Sequence, residues 1–382
     1  MRAMSAEPTF DRERQAQARA FARQRHRLYF AELGLSAALA LAWLGLGWST
    51  ALAAWLRGLT GNDWLVVVGF GTVFGATFEI VGRPLAYYAG FHLPHRYGLS
   101  TQTLRGWVQD QVVGLTLAAG LGLPLLSGVY WLLRVAGDSW WLWAAGGYII
   151  FAVALSVVAP VIILPLFNRY TPLGDEHAEL VRRLTGLAER AGTRVAGVFR
   201  FDLSRRTRAA NAALTGLGRT RRIILGDTLL NEFSADEVEV VIAHELGHHV
   251  HGDIPLLLAA NSAATTAGLF LAAQVLNWGG AAFGFAGPAD IAALPLLGLG
   301  LGAFGLGLQP VQNAFSRWRE RLADGYALQA TRKPEAFVSA FLRLADQNLT
   351  DVDPEPWVVF LFASHPPIRE RLAAAREFAI QP

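Results

Sequence analysis

Residues 234–278 read SADEVEVVIAHELGHHVHGDIPLLLAANSAATTAGLFLAAQVLNW, and they join a polar segment to an apolar run of membrane length. Ser234 and Glu237 have the spacing of a capping box, in which the serine accepts from a first-turn amide and the glutamate reaches back. This spacing predicts a helix that starts after Ser234 and contains HELGH at 244–248. The run 254–278 is long enough to cross a bilayer, which takes about 20 mostly apolar residues. The stretch therefore predicts a helix at a membrane boundary that leads into a spanning helix.

The composition of the whole chain favours a membrane protein. Of 382 residues, 53% are apolar and only 16% are charged, and the mean hydropathy is +0.32. Soluble proteins contain about 25% charged residues, so a soluble chain would need one unusually apolar domain. The absence of cysteine excludes disulfides and thiolate metal ligands. The net charge is only +3, and arginines do not alternate with aromatic residues, which argues against a nucleic-acid partner.

Six apolar stretches are long enough to span a bilayer. They are roughly 29–55, 64–88, 111–133, 140–167, 254–278 and 291–315. The predicted fold class is an α-helical integral membrane protein of about six spanning helices with a small α+β region. The predicted division is a basic N-terminal segment (1–28), four transmembrane helices (29–167), a region carrying HELGH (168–253), two transmembrane helices (254–315) and a C-terminal helical part (316–382).

Arginine placement predicts the orientation. Cytoplasmic loops carry an excess of Lys and Arg. Six crossings from a cytoplasmic N-terminus put 89–110, 168–253 and 316–382 on the cytoplasmic side, and these segments carry most of the arginines. The opposite loops hold only Arg57 and Arg134. We therefore expect a multi-pass protein with both termini and the HELGH region in the cytoplasm, in the inner membrane if the source is bacterial. Residues 1–28 lack the apolar stretch of a cleaved signal peptide.

The polar region that contains HELGH shows both helix and strand patterns. HAELVRRLTGLAERAG at 177–192 has the periodicity of an amphipathic helix. VAGVFRFD at 195–202 and RRIILGDTLL at 221–230 have the residue types of short strands. A second polar block, 316–347, is again helical in pattern. These signals predict the α+β region.

HELGH places two imidazoles on one helical face. His244 and His248 are four residues apart, so both side chains can point at one ion. Glu245 lies about 100° round the helix, where it can reach a water molecule at the ion without binding the ion itself. As a general base it would take a proton from water and later pass it to the leaving amine. The alternative is that HExxH occurs by chance in a charged helix.

A catalytic zinc takes three protein ligands, and without cysteine the third must be His, Asp or Glu. His249 and His251 project from other faces of the helix, which favours a place on the polar surface or a supporting contact to the metal ligands. Glu320 follows directly after the last apolar stretch and is a candidate. Glu320 and Asp324 are themselves four apart on one face, although this pattern alone is more typical of a solvated salt-bridge helix.

The whole chain resembles the type I CAAX prenyl protease family, membrane-integral zinc metallopeptidases related to bacterial membrane heat-shock proteases. The motifs that carry the resemblance are HELGH at 244–248, SRWRERLAD at 316–324, RAANA at 208–212 and SHPPIRERL at 364–372. The resemblance implies one zinc per chain with Glu320 as the third ligand, and Asp324 as a second acid–base group or an orienter of the ligands. It also implies that Asn211 and Ala212 belong to an edge strand that pairs with substrate.

Several of these residues allow a second interpretation. Asn211 could be only a turn residue. His365 could donate to the oxyanion that forms at the scissile carbonyl, or simply cap the helix after two prolines. Arg369 could hold a substrate carboxylate or pair with a nearby acid. Glu79 and Arg83, an intramembrane pair four residues apart, could line an internal chamber or form a structural ion pair.

The resemblance implies hydrolysis of peptide bonds, with removal of C-terminal residues from prenylated peptide or protein substrates. A general quality-control protease of membrane proteins shares every catalytic residue and remains an alternative. A non-catalytic receptor or scaffold would need neither Glu245 nor a complete ligand set, and a transporter would leave HELGH unexplained. Eukaryotic members of the family have seven spans, whereas six are predicted here. The sequence does not indicate the oligomeric state.

Overall fold

The computed structural model describes residues 10–216 and 218–380. Its first part is helical: α1 Arg12–Gly45, α2 Trp48–Leu59, α3 Asp63–Tyr87, α4 Leu93–Arg96, α5 Leu104–Val135, α6 Trp140–Val158 and α7 Leu164–Phe167. In the described part of the chain, six helical segments are long and apolar enough to cross a membrane, four of them before residue 168. The predicted number of spans is confirmed.

The first predicted span, 29–55, is wrong as a single helix. Helix α1 ends at Gly45, and α2 begins three residues later. Gly47 between them has a φ of 70°, a left-handed conformation that glycine adopts at little cost. At its other end α1 begins at Arg12, so much of the predicted basic segment 1–28 is a helical extension of the span. Residues 1–9 of that segment lie outside the described residues.

Two spans extend through π-helical turns at Tyr88–His92 and Ala159–Ile163. The first turn joins α3 to α4, so the helix continues to Arg96 and the loop predicted at 89–110 is shorter. Pro94 and Pro160, which have no N–H to donate, lie beside or within these turns. A locally widened helix accommodates the missing hydrogen bonds.

The polar region after α7 contains a four-stranded sheet. Its elements are β1 Tyr170–Pro172, α8 Ala178–Arg190, β2 Val198–Phe201, β3 Ala212–Thr215, β4 Arg222–Gly226, α9 Asp227–Glu232 and α10 Ala235–Val250. The strand order is β1-β2-β4-β3, with β2 and β4 parallel and the other two pairs antiparallel. The predicted strand 221–230 ends at Gly226, because Asp227 accepts hydrogen bonds from the Ser204 and Thr228 amides and opens α9.

The C-terminal part returns from the membrane to this region. Its helices are α11 Asp253–Phe283, α12 Leu294–Thr331, α13 Pro334–Gln347, α14 Pro356–Phe362 and α15 Ile368–Ile380. Helix α12 runs without a break from the apolar segment into the polar region, where α10 packs against it. A Cβ on Gly247 would lie 2.9 Å from the Ala323 Cα, so glycine permits the close approach. The crossing brings residues 320–324 beside HELGH.

Candidate metal centre

The three predicted ligands converge at the crossing of α10 and α12. His244 Nε2 lies 3.2 Å from His248 Nε2 and 3.2 Å from Glu320 Oε2, and His248 Nε2 lies 3.5 Å from Glu320 Oε1. One ligand atom from each residue lies within 4.8 Å of the others. The predicted capping box is present, since the Ser234 amide donates to Glu237 at 2.7 Å and the Glu237 amide donates back to Ser234. The cap begins the helix that positions both imidazoles.

Each imidazole is held from behind by a carboxylate. His244 Nδ1 lies 2.9 Å from Asp324 Oδ1, and His248 Nδ1 lies 2.6 Å from Asp253 Oδ2. Such partners place the ring proton on Nδ1 and leave the Nε2 lone pair free for a metal. Glu320 Oε2 is buried without a hydrogen-bond partner. Two Nε2 lone pairs and an unsatisfied carboxylate oxygen fit the donor set of a zinc ion.

Asp324 is fixed by an arginine from the far end of the chain. Arg371 Nε donates to Asp324 Oδ2 at 2.8 Å, and Arg371 Nη2 donates to Oδ1 at 2.5 Å. The guanidinium lies 3.8 Å from the ring centre of Phe341. Asp324 and Arg371 are both buried. The sequence pattern had singled out Arg369 in this segment, whereas Arg371, two positions later, is the residue that reaches the site.

Asp253 has an equivalent partner behind the second imidazole. Arg319 Nε donates to Asp253 Oδ1 at 2.7 Å, and Arg319 Nη2 donates to the His251 carbonyl at 2.8 Å. Asp253 is only 3% exposed. Neither residue was predicted. In the sequence, only their positions near the ligands point to these two residues: Asp253 follows His248 by five residues, and Arg319 directly precedes Glu320.

Glu245 faces the edge strand. Its carboxylate accepts a hydrogen bond from the Leu214 backbone amide, and Leu214 lies on β3. Burial raises the pKa of Glu245, although the neighbouring His244, His248 and this hydrogen bond oppose the shift. A half-buried carboxyl with a raised pKa, beside the three ligands and outside them, has the placement of a general base.

Strand β3 lies at the edge of the sheet, and its hydrogen bonding shows which residues face outward. The Gly226 amide donates to the Asn211 carbonyl at 2.9 Å. Antiparallel pairs alternate between hydrogen-bonded and non-hydrogen-bonded positions. The backbone of Asn211 faces β4. The backbone N–H and C=O groups of Ala212 and Leu214 therefore both point away from β4, toward the open edge. Of the two strand residues predicted to bind substrate, Ala212 thus faces the edge with its backbone, whereas the Asn211 carbonyl is turned inward.

The loop after α14 brings a third histidine to the cluster. His365 Nε2 lies 3.4 Å from Glu320 Oε1, and its side chain is 59% exposed. His365 Nδ1 is 2.9 Å from Ser364 Oγ. Arg369 instead pairs with Asp353 at 2.7 Å. Of the two alternatives for Arg369, the structure shows the acidic partner.

The other polar residues singled out from the sequence lie outside the cluster. His249 Nε2 is 3.3 Å from Arg221 Nη1, and His251 Nδ1 is 2.7 Å from the Gly247 carbonyl. Glu79 and Arg83, which were predicted either to line a chamber or to form a structural ion pair, form an ion pair on α3. Arg83 also donates to Gln111 Oε1 at 2.9 Å, so this pair links α3 to α5.

Comparison with protein families gives two matches that together cover most of the chain. Residues 3–169 match the family described as CAAX prenyl protease N-terminal, five membrane helices. Residues 175–379 match peptidase family M48, and this range holds the three ligands and Glu245. The described residues of the first range contain four segments of spanning length rather than five.

Individual relatives show the same similarity over most of their length. An uncharacterized metalloprotease of Bacillus subtilis, YhfN, is 32% identical over 92% of this chain and 82% of its own. The CAAX prenyl protease 1 of Saccharomyces cerevisiae is 30% identical over 77% of this chain and 68% of its own. The crystal structure of S. mikatae Ste24p superimposes with a TM-score of 0.85 at 25% identity, covering 97% of this chain and 90% of that one.

Proposed function

The chain belongs to peptidase family M48 and to the CAAX prenyl protease family, and from that membership we propose that it removes C-terminal residues from prenylated substrates. It is a multi-pass membrane zinc metalloprotease that acts on peptide or protein substrates. The observation that carries the proposal is the cluster of His244, His248 and Glu320 between two membrane-length helices, beside an open strand edge. We further propose one zinc ion per chain.

We propose a role for each residue at the site. Zinc held by His244, His248 and Glu320 would polarise the scissile carbonyl and make water a stronger acid. Glu245 takes a proton from the attacking water and delivers it to the leaving amine. Asp324 acts as an orienter of the His244 ring rather than as a second acid–base group, because its two oxygens are occupied by His244 and Arg371 in a buried position.

Substrate binding is proposed at β3. A peptide that adds to this edge gains main-chain hydrogen bonds with Ala212 and with the Leu214 carbonyl, and presents its own carbonyl next to Glu245. His365, on an exposed loop 3.4 Å from Glu320, is placed to donate to the oxygen of that carbonyl. The side chain of Asn211, at the start of the strand, is left to contact substrate. Main-chain pairing fixes the register of the peptide on the strand but selects little among its side chains.

We propose that the site faces the cytoplasm. The polar segments that flank it carry most of the arginines, which cytoplasmic segments do. Reporter fusions at residue 10 and after residue 382 should both report a cytoplasmic location. Reporters on opposite sides of the membrane would contradict the even number of spans, and two external reporters would contradict the orientation.

Apolar surface beside the site supports a lipid-modified substrate. Ile254 and Leu257 at the start of α11, and Val311 and Trp318 on α12, are each at least 40% exposed. We propose that these faces contact the bilayer and the hydrocarbon of the substrate. Burial contributes about 0.8 kcal/mol per CH₂ group, so an isoprenoid can gain several kcal/mol even against partition into lipid.

A farnesylated C-terminal CAAX peptide should therefore be cleaved with at least about tenfold higher kcat/KM than the same unmodified peptide, which corresponds to about 1.4 kcal/mol. Both rates can be measured by mass spectrometry in one detergent, with Glu245→Gln as the blank. Equal rates would replace the prenyl-specific proposal with the general membrane endopeptidase. No cleavage of either peptide by zinc-loaded protein would support a scaffold.

A further inference from the structure

Three polar side chains of α12 hold the last turn of α14. They belong to Gln309, Asn313 and Arg317, which are four residues apart and therefore lie on one face of α12. Gln309 Nε2 and Asn313 Nδ2 both donate to the Leu361 carbonyl, at 2.8 and 2.7 Å. The last carbonyls of a helix have no partner within it, so these side chains provide donors that the helix itself lacks.

Arg317 holds the point at which the chain leaves α14. Its Nη1 donates to the Val359 carbonyl at 2.9 Å and to the Ala363 carbonyl at 2.7 Å. The Arg317 side chain is half-buried, and the exposed carboxylate of Glu370 pairs with Arg321 instead. A cation at the C-terminal end of a helix is favourable, because the last carbonyls carry partial negative charge. One guanidinium nitrogen therefore ties the end of α14 to α12.

A single residue, Ser364, separates this contact from His365. On the other side of His365, Pro366 is buried, and the residue before a proline is restricted to an extended backbone. The backbone of His365 thus has little freedom to compensate for a displaced Ala363. A shift at Ala363 would therefore move His365 Nε2, which lies 3.4 Å from Glu320 Oε1 at the metal centre.

We propose that Arg317 is a positioning residue, which acts on the reaction through His365 by fixing the end of α14. The proposal rests on the proposed function, because it concerns His365 as the donor to the oxygen of the scissile carbonyl. Such a donor contributes only when it lies within hydrogen-bond distance of the oxyanion. A misplacement of about 1 Å can cost roughly a hundredfold in rate. In this proposal Arg317 contacts neither the metal nor the substrate.

Arg317→Ala should lower kcat at least about fivefold and change KM less than about twofold, because a donor to the oxyanion acts in the transition state. One nitrogen makes both contacts, so the lysine ammonium can replace it, and Arg317→Lys should stay within about threefold of wild type. Arg321→Ala is the matched control one turn further along α12, and its kcat should equal that of wild type. Rates are measured by mass spectrometry on the farnesylated CAAX peptide, and zinc per chain reports on the metal centre.

A double variant separates positioning of His365 from a general structural effect. His365→Ala should itself lower kcat at least about tenfold, because it removes the donor to the oxyanion. If Arg317 acts through His365, Arg317→Ala added to His365→Ala should change kcat by less than about twofold. Two losses that multiply in the double variant would overturn the inference. Wild-type kcat in Arg317→Ala, or an effect confined to KM, would overturn it as well.

The same series separates this inference from the proposed function. If zinc-loaded wild type does not cleave the peptide, the proposed function fails and the inference with it. If wild type cleaves it and His365→Ala keeps wild-type kcat, the proposed function stands and only the inference fails. Should Arg317→Ala unfold or lose zinc, Arg317→Met takes its place in the double variant, because methionine keeps an aliphatic stem without the donors. Unfolding of both variants would show a purely structural role and overturn the inference.

Discussion

Glu245→Gln should lower kcat by at least about a hundredfold while zinc content and thermal unfolding stay at wild-type values. The amide has nearly the shape of the carboxylate, and its oxygen can still accept the hydrogen bond from the Leu214 amide. It cannot take a proton from water, so only the general base is removed. Positioned acid–base groups typically contribute 10²–10⁴-fold to a rate.

A matched control is available on the exposed face of a nearby helix. Glu189→Gln makes the same chemical change on α8, away from the three ligands, and its kcat should equal that of wild type. Both variants can be assayed on the farnesylated peptide and on a peptide that wild type cleaves without a lipid. Activity of Glu245→Gln within about tenfold of wild type would show that another group is the base.

The parts of the structure that the sequence predicted depend on local signals. The capping box at Ser234 and the i and i+4 histidines belong to one helix, where local spacing specifies the arrangement, and the apolar stretches follow from local hydropathy. The first span was misjudged because hydropathy continues through residue 55, whereas the break at Gly47 depends on one left-handed residue. Composition over 20 residues does not detect such a break.

Residues behind the ligands could not be predicted, because tertiary packing places them. Arg371 pairs with Asp324, which is 47 residues away in the sequence, and Asp253 pairs with Arg319, which is 66 residues away. Each arginine has another arginine two residues before it, Arg317 before Arg319 and Arg369 before Arg371, and the sequence does not distinguish between them. The third ligand, Glu320, was accessible only through resemblance, since its local pattern is that of an ordinary charged helix.

Glu320→Ala should reduce zinc affinity by at least about a hundredfold, as His244→Ala should. Two imidazoles would remain, whereas a catalytic zinc site takes three protein ligands. Changes to residues behind the ligands already cost 10–100-fold in metal affinity, so the loss of a ligand should cost no less. Glu370→Ala is the matched control, because this exposed carboxylate pairs with Arg321 rather than with the cluster.

The central claim is that His244, His248 and Glu320 together hold one zinc ion that Glu245 serves without binding. Native mass spectrometry of the purified proteins, after dialysis against a dilute chelator, measures zinc per chain directly. Wild type, Glu245→Gln and Glu370→Ala should each retain one zinc, and Glu320→Ala and His244→Ala should each retain almost none. Full zinc occupancy in Glu320→Ala, or loss of zinc from Glu245→Gln, would contradict the account.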